Sequence, residues 1–166
     1  QTSFRASFAY QNVMYLVAGQ LIPAITGQSW DDFVQQRIFD PLGMADSAPT
    51  LARAWAHKNM STPHAPLPYG SSGGMAAVPY RDHDNVGPAA SLHASAVDLA
   101  QYLRMHIRRG NYGGAQIVTA LNAAELHAAQ IAVSNVNPPA VLSKVAPRFS
   151  AYGLGWRLQD YRGRKL

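Results

Sequence analysis

Residues 10–44 read YQNVMYLVAGQLIPAITGQSWDDFVQQRIFDPLGM, and this stretch decides the fold. Val13, Leu16, Val17, Leu21 and Ile25 recur at the intervals of one helical face and Gly27 ends the run. The spacing predicts a helix over 12–26 with Pro23 inside it, bending its last turn. Ser29 and Asp32 then pair as the first turn of a second helix, with Trp30, Phe33, Val34, Ile38 and Phe39 on its buried face. Asp40-Pro41-Leu42-Gly43 closes it with a turn. Two polar side chains stand at the mouth of the first helix. Read locally, Asn12 is its N-cap and Tyr10 an aromatic packed beside it.

Outward from this stretch the periodicity fades. Between Ser47 and Ala90, Pro and Gly accumulate, and STPHAPLPYGSSGG (61–74) reads as a loop by composition. Ser95 and Asp98 repeat the capping pattern, and Leu99, Tyr102, Leu103 and His106 follow at helical spacing as far as Gly110. Thr119 caps a short helix through about Gln130. YGLGWRLQDYRGRKL (152–166) predicts a strand carrying Tyr152, Leu154 and Trp156 on one face, a turn near 160–163 and the start of a partner strand. Helices come first and a hairpin last. The expectation is an α+β chain, mostly helical, with one or two C-terminal antiparallel strands: a helical region over 1–150 and a hairpin over 151–166.

Composition removes several classes. With 48% apolar and 14% charged residues, the 166-residue chain has the material for a core and is not disordered. No apolar run reaches the roughly 20 residues of a membrane span, and no signal peptide opens the chain, which starts at Gln1. The absence of cysteine excludes disulfides and thiol chemistry. The net charge of +5 arises in the second half, from Arg104, Arg108, Arg109, Arg157, Arg162, Arg164 and Lys165. No nucleic-acid module accompanies these charges, and solvated faces account for them, so no nucleic-acid partner is expected. The six histidines include no i, i+4 pair, so neither metal nor cofactor is expected. His106 and His127 read as helix-surface or half-buried residues, and Tyr152, Trp156 and Tyr161 as sheet packing. GSSGG (70–74) formally fits a nucleophile elbow with Ser72, for which Asp98 and His127 would be the partners. The elbow needs a strand before it and a helix after it; Pro66, Pro68 and the short run 75–79 argue for a flexible loop instead.

Four segments, YQN, AGQLIPAITGQSWDDFVQQRIFDPLGM, AASLHASAVDLAQYL and YGLGWRLQDYRGRKL, together resemble the middle of the serine β-lactamase-like hydrolases. That group spans class C β-lactamases, D-alanyl-D-alanine carboxypeptidases, D-amino-acid peptidases and related carboxylesterases. The resemblance runs in order along nearly the whole chain. It implies a helical region beside an antiparallel sheet, and acyl transfer without a cofactor: the serine of Ser-x-x-Lys attacks a carbonyl beside a Tyr-x-Asn element, and a Lys/His-x-Gly strand completes the site. Tyr10 then matches the tyrosine that shuttles the nucleophile's proton, and Asn12 the side chain that orients substrate and lysine.

The departures are as informative. There is no Ser-x-x-Lys, since Lys58, Lys144 and Lys165 each lack a serine three residues earlier, and no Lys-Thr-Gly or His-x-Gly follows. Ala90-Ser91 stands where the family has a Gly pair, and Pro23 where it commonly has another residue. The expectation is therefore the central segment of an enzyme that acts on a small-molecule ester, amide or β-lactam, inactive alone. Self-association through the C-terminal strands, or pairing with flanking segments, goes with it. The resemblance favours a periplasmic or secreted protein. Two alternatives are a non-catalytic binding module on the same scaffold and an α/β-hydrolase esterase using Ser72.

Overall fold

In the computed structural model, residues 3, 6–67, 73–133, 141, 144, 146–161, 164 and 165 are described. Helix α1 (Asn12–Thr26) starts and stops where the sequence places it: Gly27 adopts φ 71° and its N–H donates to Pro23 O at 2.9 Å. Next come α2 (Trp30–Val34), a π-helical turn (Gln35–Phe39), α3 (Asp40–Leu42) and α4 (Leu51–Ala54). Strands β1 (His64–Pro66) and β2 (Met75–Ala77), a 3-10 turn (Asp84–Val86), α5 (Gly87–Ala90) and α6 (Ala96–Ile107) follow. The chain continues through β3 (Asn111–Tyr112), β4 (Ala115–Gln116), α7 (Ala120–Leu126), β5 (Ile131–Ala132), β6 (Ser150–Tyr152), β7 (Arg157–Tyr161) and β8 (Arg164–Lys165). Among the described residues no helix is long and apolar enough to cross a membrane.

These elements divide into two compact units, Gln11–Leu103 and a second formed by Gln1–Tyr10 with Arg104–Leu166. The hairpin region 151–166 lies in the latter unit together with 104–150.

In the unit Gln11–Leu103, α1 packs on α5, and the face it buries is not the expected one. Val13, Val17, Leu21 and Ile25 are all exposed, Leu16 is half-buried, and Gly19 is the buried residue of the helix. The reason is steric. A Cβ on Gly19 would lie 2.6 Å from Pro88 Cβ and closer still to its Cγ, so the two helices approach where α1 has no side chain. Ser29 caps α2 as expected, accepting from Asp32 N–H at 3.1 Å while its hydroxyl donates to the Asp32 carboxylate at 2.8 Å. Of the expected buried face on this second helix only Phe39 is fully buried. The π turn widens the helix there, and Gln35 Nε2 donates to Asp40 Oδ1 at 2.6 Å across it.

The core of the unit is the segment that follows, where Leu42, Met44 and every residue from Ser47 to Leu51 are buried. Two carboxylates organise it. Asp98 Oδ2 accepts from Asp46 N–H at 2.8 Å and from the Ser47 hydroxyl at 2.7 Å. Asp84 accepts from the N–H groups of Leu51 and Ala52 at 2.7 and 3.1 Å. A reciprocal backbone pair ties Ala48 to His93, both bonds at 2.9 Å. The stretch 61–74, expected to be a loop, supplies β1, which pairs antiparallel with β2 just after it, extended by Val78 N–H to Pro63 O and Leu67 N–H to Gly74 O. Helix α6 buries Asp98, Met105 and His106, with Tyr102 half-buried, whereas Leu99 and Leu103 of the expected face are exposed.

In the other unit Thr119 caps α7, accepting from Asn122 N–H at 3.2 Å, and the helix ends at Leu126, short of the expected Gln130. Strands β5, β6, β7 and β8 form one antiparallel sheet in that order. The single strand expected over 152–158 is broken: Gly153 N–H donates to Trp156 O at 2.7 Å, and Gly155 takes φ 83°, making the β6–β7 turn. The glycines decide this, because a Cβ at 153 would meet the carbonyl oxygen of Leu126 at 2.5 Å.

Gly19→Ala tests the α1–α5 contact. Alanine favours a helix by about 1 kcal/mol over glycine, yet here it drives a methyl into a rigid ring, and overpacking costs about 1–3 kcal/mol. The expected result is a lower urea midpoint than the parent. A higher midpoint would show that the helices do not meet at this residue.

Candidate functional site

Tyr10 closes a short N-terminal segment that is held to the sheet through Phe8, whose ring lies 5.1 Å from that of Tyr152. Tyr10 itself is 62% exposed. Asn12 is the first helical residue of α1 and is also exposed. It is not the N-cap. That position belongs to Gln11, which is extended at φ −141°, ψ 111° and makes no side-chain capping bond. The local reading of Asn12 as the N-cap is corrected on this geometry: Asn12 is already helical, one residue past the extended position from which an N-cap side chain accepts from the N2 and N3 N–H groups. The Tyr10 phenol and the Asn12 carboxamide are each exposed.

Ser72 lies outside the described residues. The groups proposed beside it in the esterase reading have other duties. Asp98 is buried as the acceptor for Asp46 and Ser47, and His127 is the C-cap residue of α7. Among the described residues no cluster of three or more His, Asp or Glu side chains could hold a metal ion.

The family model for β-lactamase matches residues 1–165. The chain belongs to the β-lactamase family. It is 26% identical over 166 residues to penicillin-binding protein 4 of Amycolatopsis lactamdurans, a match covering 93% of this chain and 38% of that protein. It is 28% identical over 173 residues to the unguisins hydrolase of Aspergillus violaceofuscus, covering 96% of this chain and 29% of the other. Among solved structures it resembles the octameric penicillin-binding protein homologue from Pyrococcus abyssi, with a TM-score of 0.77 and 22% identity over 99% of this chain and 33% of that one. That likeness is one of fold, and it places the helices and small antiparallel sheets described above in the β-lactamase/penicillin-binding-protein architecture. The chain spans about a third of the length of these relatives.

Two features of this β-lactamase-family chain were hidden in its sequence. Where the resemblance leads one to expect a Gly pair, Ser91 is fully buried and its hydroxyl donates to Pro49 O at 2.5 Å, so the side chain itself ties α5 to the buried segment. The second is an aromatic triangle at the end of α6, the end of α7 and the β6–β7 turn. The rings of His106, His127 and Trp156 lie 4.7–5.1 Å apart and meet edge-on. His106 is only 7% exposed, and Trp156 packs against histidines rather than along a strand. Burial, assisted by the neighbouring His127, pushes the His106 imidazole down to about 4.

The sign of the pH effect follows. With the folded value below the ordinary 6.5, the unfolded chain takes up the proton first, so the contribution to stability is complete above pH 6.5 and is lost as pH falls toward 4. At 1.36 kcal/mol per pKa unit the loss is at most ~3 kcal/mol. Urea midpoints measured from pH 7 to pH 4 are expected to fall over this window and to flatten in His106→Phe. A slope unchanged by the substitution would assign the acid sensitivity elsewhere.

Proposed function

We propose that the protein carrying this chain is a serine hydrolase of the β-lactamase family that forms an acyl-enzyme on a small-molecule ester, amide or β-lactam. In that reading Tyr10 relays the proton of the nucleophile and Asn12 orients the substrate. The observation that carries it is the Tyr10–Asn12 pair itself. Both side chains are exposed, and the capping duty that would explain Asn12 structurally is not one it performs. The match to the β-lactamase family over residues 1–165 supports the same roles, as do relatives named as a penicillin-binding protein and a hydrolase.

The chemistry sets a requirement on the rest of the protein. A tyrosine that accepts the nucleophile's proton works beside a cation that favours its phenolate. In the family reading that cation is the lysine of Ser-x-x-Lys, a motif these 166 residues do not contain. The serine hydroxyl attacks the carbonyl carbon, its proton passes to the tyrosine oxygen, and the same proton is returned to the leaving group as the acyl-enzyme forms. Asn12 donates and accepts through one planar group, which suits it to hold an amide-like substrate edge.

In the complete protein, Tyr10→Phe is expected to lower kcat for acyl transfer by about 10²-fold or more while leaving the circular dichroism and thermal midpoint unchanged. Near-parental turnover would return Tyr10 to a packing role. The 166 residues alone are expected to stay unmodified by fluorophosphonate or penicillin probes. Stoichiometric labelling of Ser72, located by mass spectrometry, would favour the esterase reading instead.

A further inference from the structure

The unit Gln11–Leu103 contains a hollow of about 570 Å³ to which α1 contributes nothing. Its walls come from the Asp46–Ala48 segment, the residues after α4, Tyr80 and the approach to α6. The Lys58 ammonium and two imidazoles, those of His57 and His93, line it together with a single carboxylate, Asp46. That carboxylate already faces His57, with Oδ1 4.0 Å from Nδ1. Lys58 is exposed, and no ion pair among the described residues involves it. The rest of the wall mixes polar Asn59, Ser61 and Ser95 with alanines and one larger apolar and aromatic patch. Met60 and Tyr80 supply it, and Tyr80 is held in place by its hydroxyl donating to Ser61 O at 2.7 Å and by the edge-on ring of Trp55 at 4.9 Å.

We infer that this hollow is a binding site for a small organic carboxylate, its charge on Lys58 and His93 and its hydrocarbon body on Met60 and Tyr80. A metal cation does not fit: among the described residues no three His, Asp or Glu side chains come together closely enough to hold one. Inorganic phosphate fits less well than an organic acid. The hollow is far larger than one anion, its lining offers a lone lysine without an arginine fork, and phosphate would leave Met60 and Tyr80 uncovered. The apolar wall adds affinity only to a ligand with a body to bury.

The site is independent of the hydrolase reading, and calorimetric titration of the complete protein separates the two. Benzoate is the probe, benzamide its uncharged isostere and inorganic phosphate the bare anion. Saturable benzoate binding is expected, about tenfold or more tighter than benzamide or phosphate, weakened at least tenfold in Lys58→Met and unchanged in Tyr10→Phe. Lys58 is exposed, so its substitution leaves the fold intact. A Tyr80→Leu variant tests the apolar wall and is expected to weaken benzoate but not phosphate. Any of three results would overturn the site: no saturable benzoate binding, equal binding in Lys58→Met, or benzamide binding as tightly as benzoate.

Discussion

The Asp98 carboxylate is the tie on which the unit Gln11–Leu103 depends. It sits in the first turn of α6, where a negative charge suits the helix dipole, yet it is spent on the chain some fifty residues earlier, at Asp46 N–H and Ser47 Oγ. The buried run Ser47–Leu51 cannot reach water, so each of its polar groups must find a protein partner. Asp98 satisfies one end of the run, Asp84 the other, the Ala48–His93 pair the middle, and Ser91 takes Pro49 O. An irregular segment is thereby buried as completely as a strand would be. The same tie sets the Asp46–Ala48 segment against His93–Ala96, the two edges between which the hollow opens.

A different principle governs the other unit. There the sheet strands are short and the joining contacts are aromatic: Phe8 on Tyr152, and the two histidines around Trp156. Edge-on ring contacts are worth about 0.5–1.5 kcal/mol each beyond the area they bury. They are non-directional enough to gather elements that share few hydrogen bonds. The cost is that the buried His106 ring resists protonation there, so acid that charges it works against this corner.

What could be read from the residues alone were the features fixed by neighbours in the chain. Ser29, Ser95 and Thr119 cap their helices because the accepting oxygen and the N–H lie three residues apart, and Gly27 ends α1 because no other residue takes φ 71° as readily. The Tyr-x-Asn assignment of Tyr10 and Asn12 likewise rests on a local signal, three adjacent residues, and stands as a proposal. Contacts between distant residues were not legible. The Ser95/Asp98 pattern suggested a reciprocal cap, but only Ser95 plays its part, since the Asp98 carboxylate finds partners no local rule could name. The apolar stripe of α1 gave the helix correctly and its buried face wrongly, because periodicity reports where apolar side chains are and not which neighbour can come closest. The β1–β2 hairpin was missed since prolines and glycines mask three-residue strands. The run through Tyr152, Leu154 and Trp156 failed as a strand because two glycines outvoted the alternation.

Gly19 and Asn12 stand seven residues apart, close to two full turns, so they share one face of α1 about 10 Å apart along its axis. The contact with Pro88 that admits no side chain at 19 therefore also sets the azimuth of the carboxamide at 12. A helix held by a wide apolar seam can roll by several degrees as its side chains repack. One seated on a proline ring through a bare backbone has little such latitude. The bearing of Asn12 is in this sense an address written two turns away, and sequences that drift at 19 are expected to drift at 88 with it.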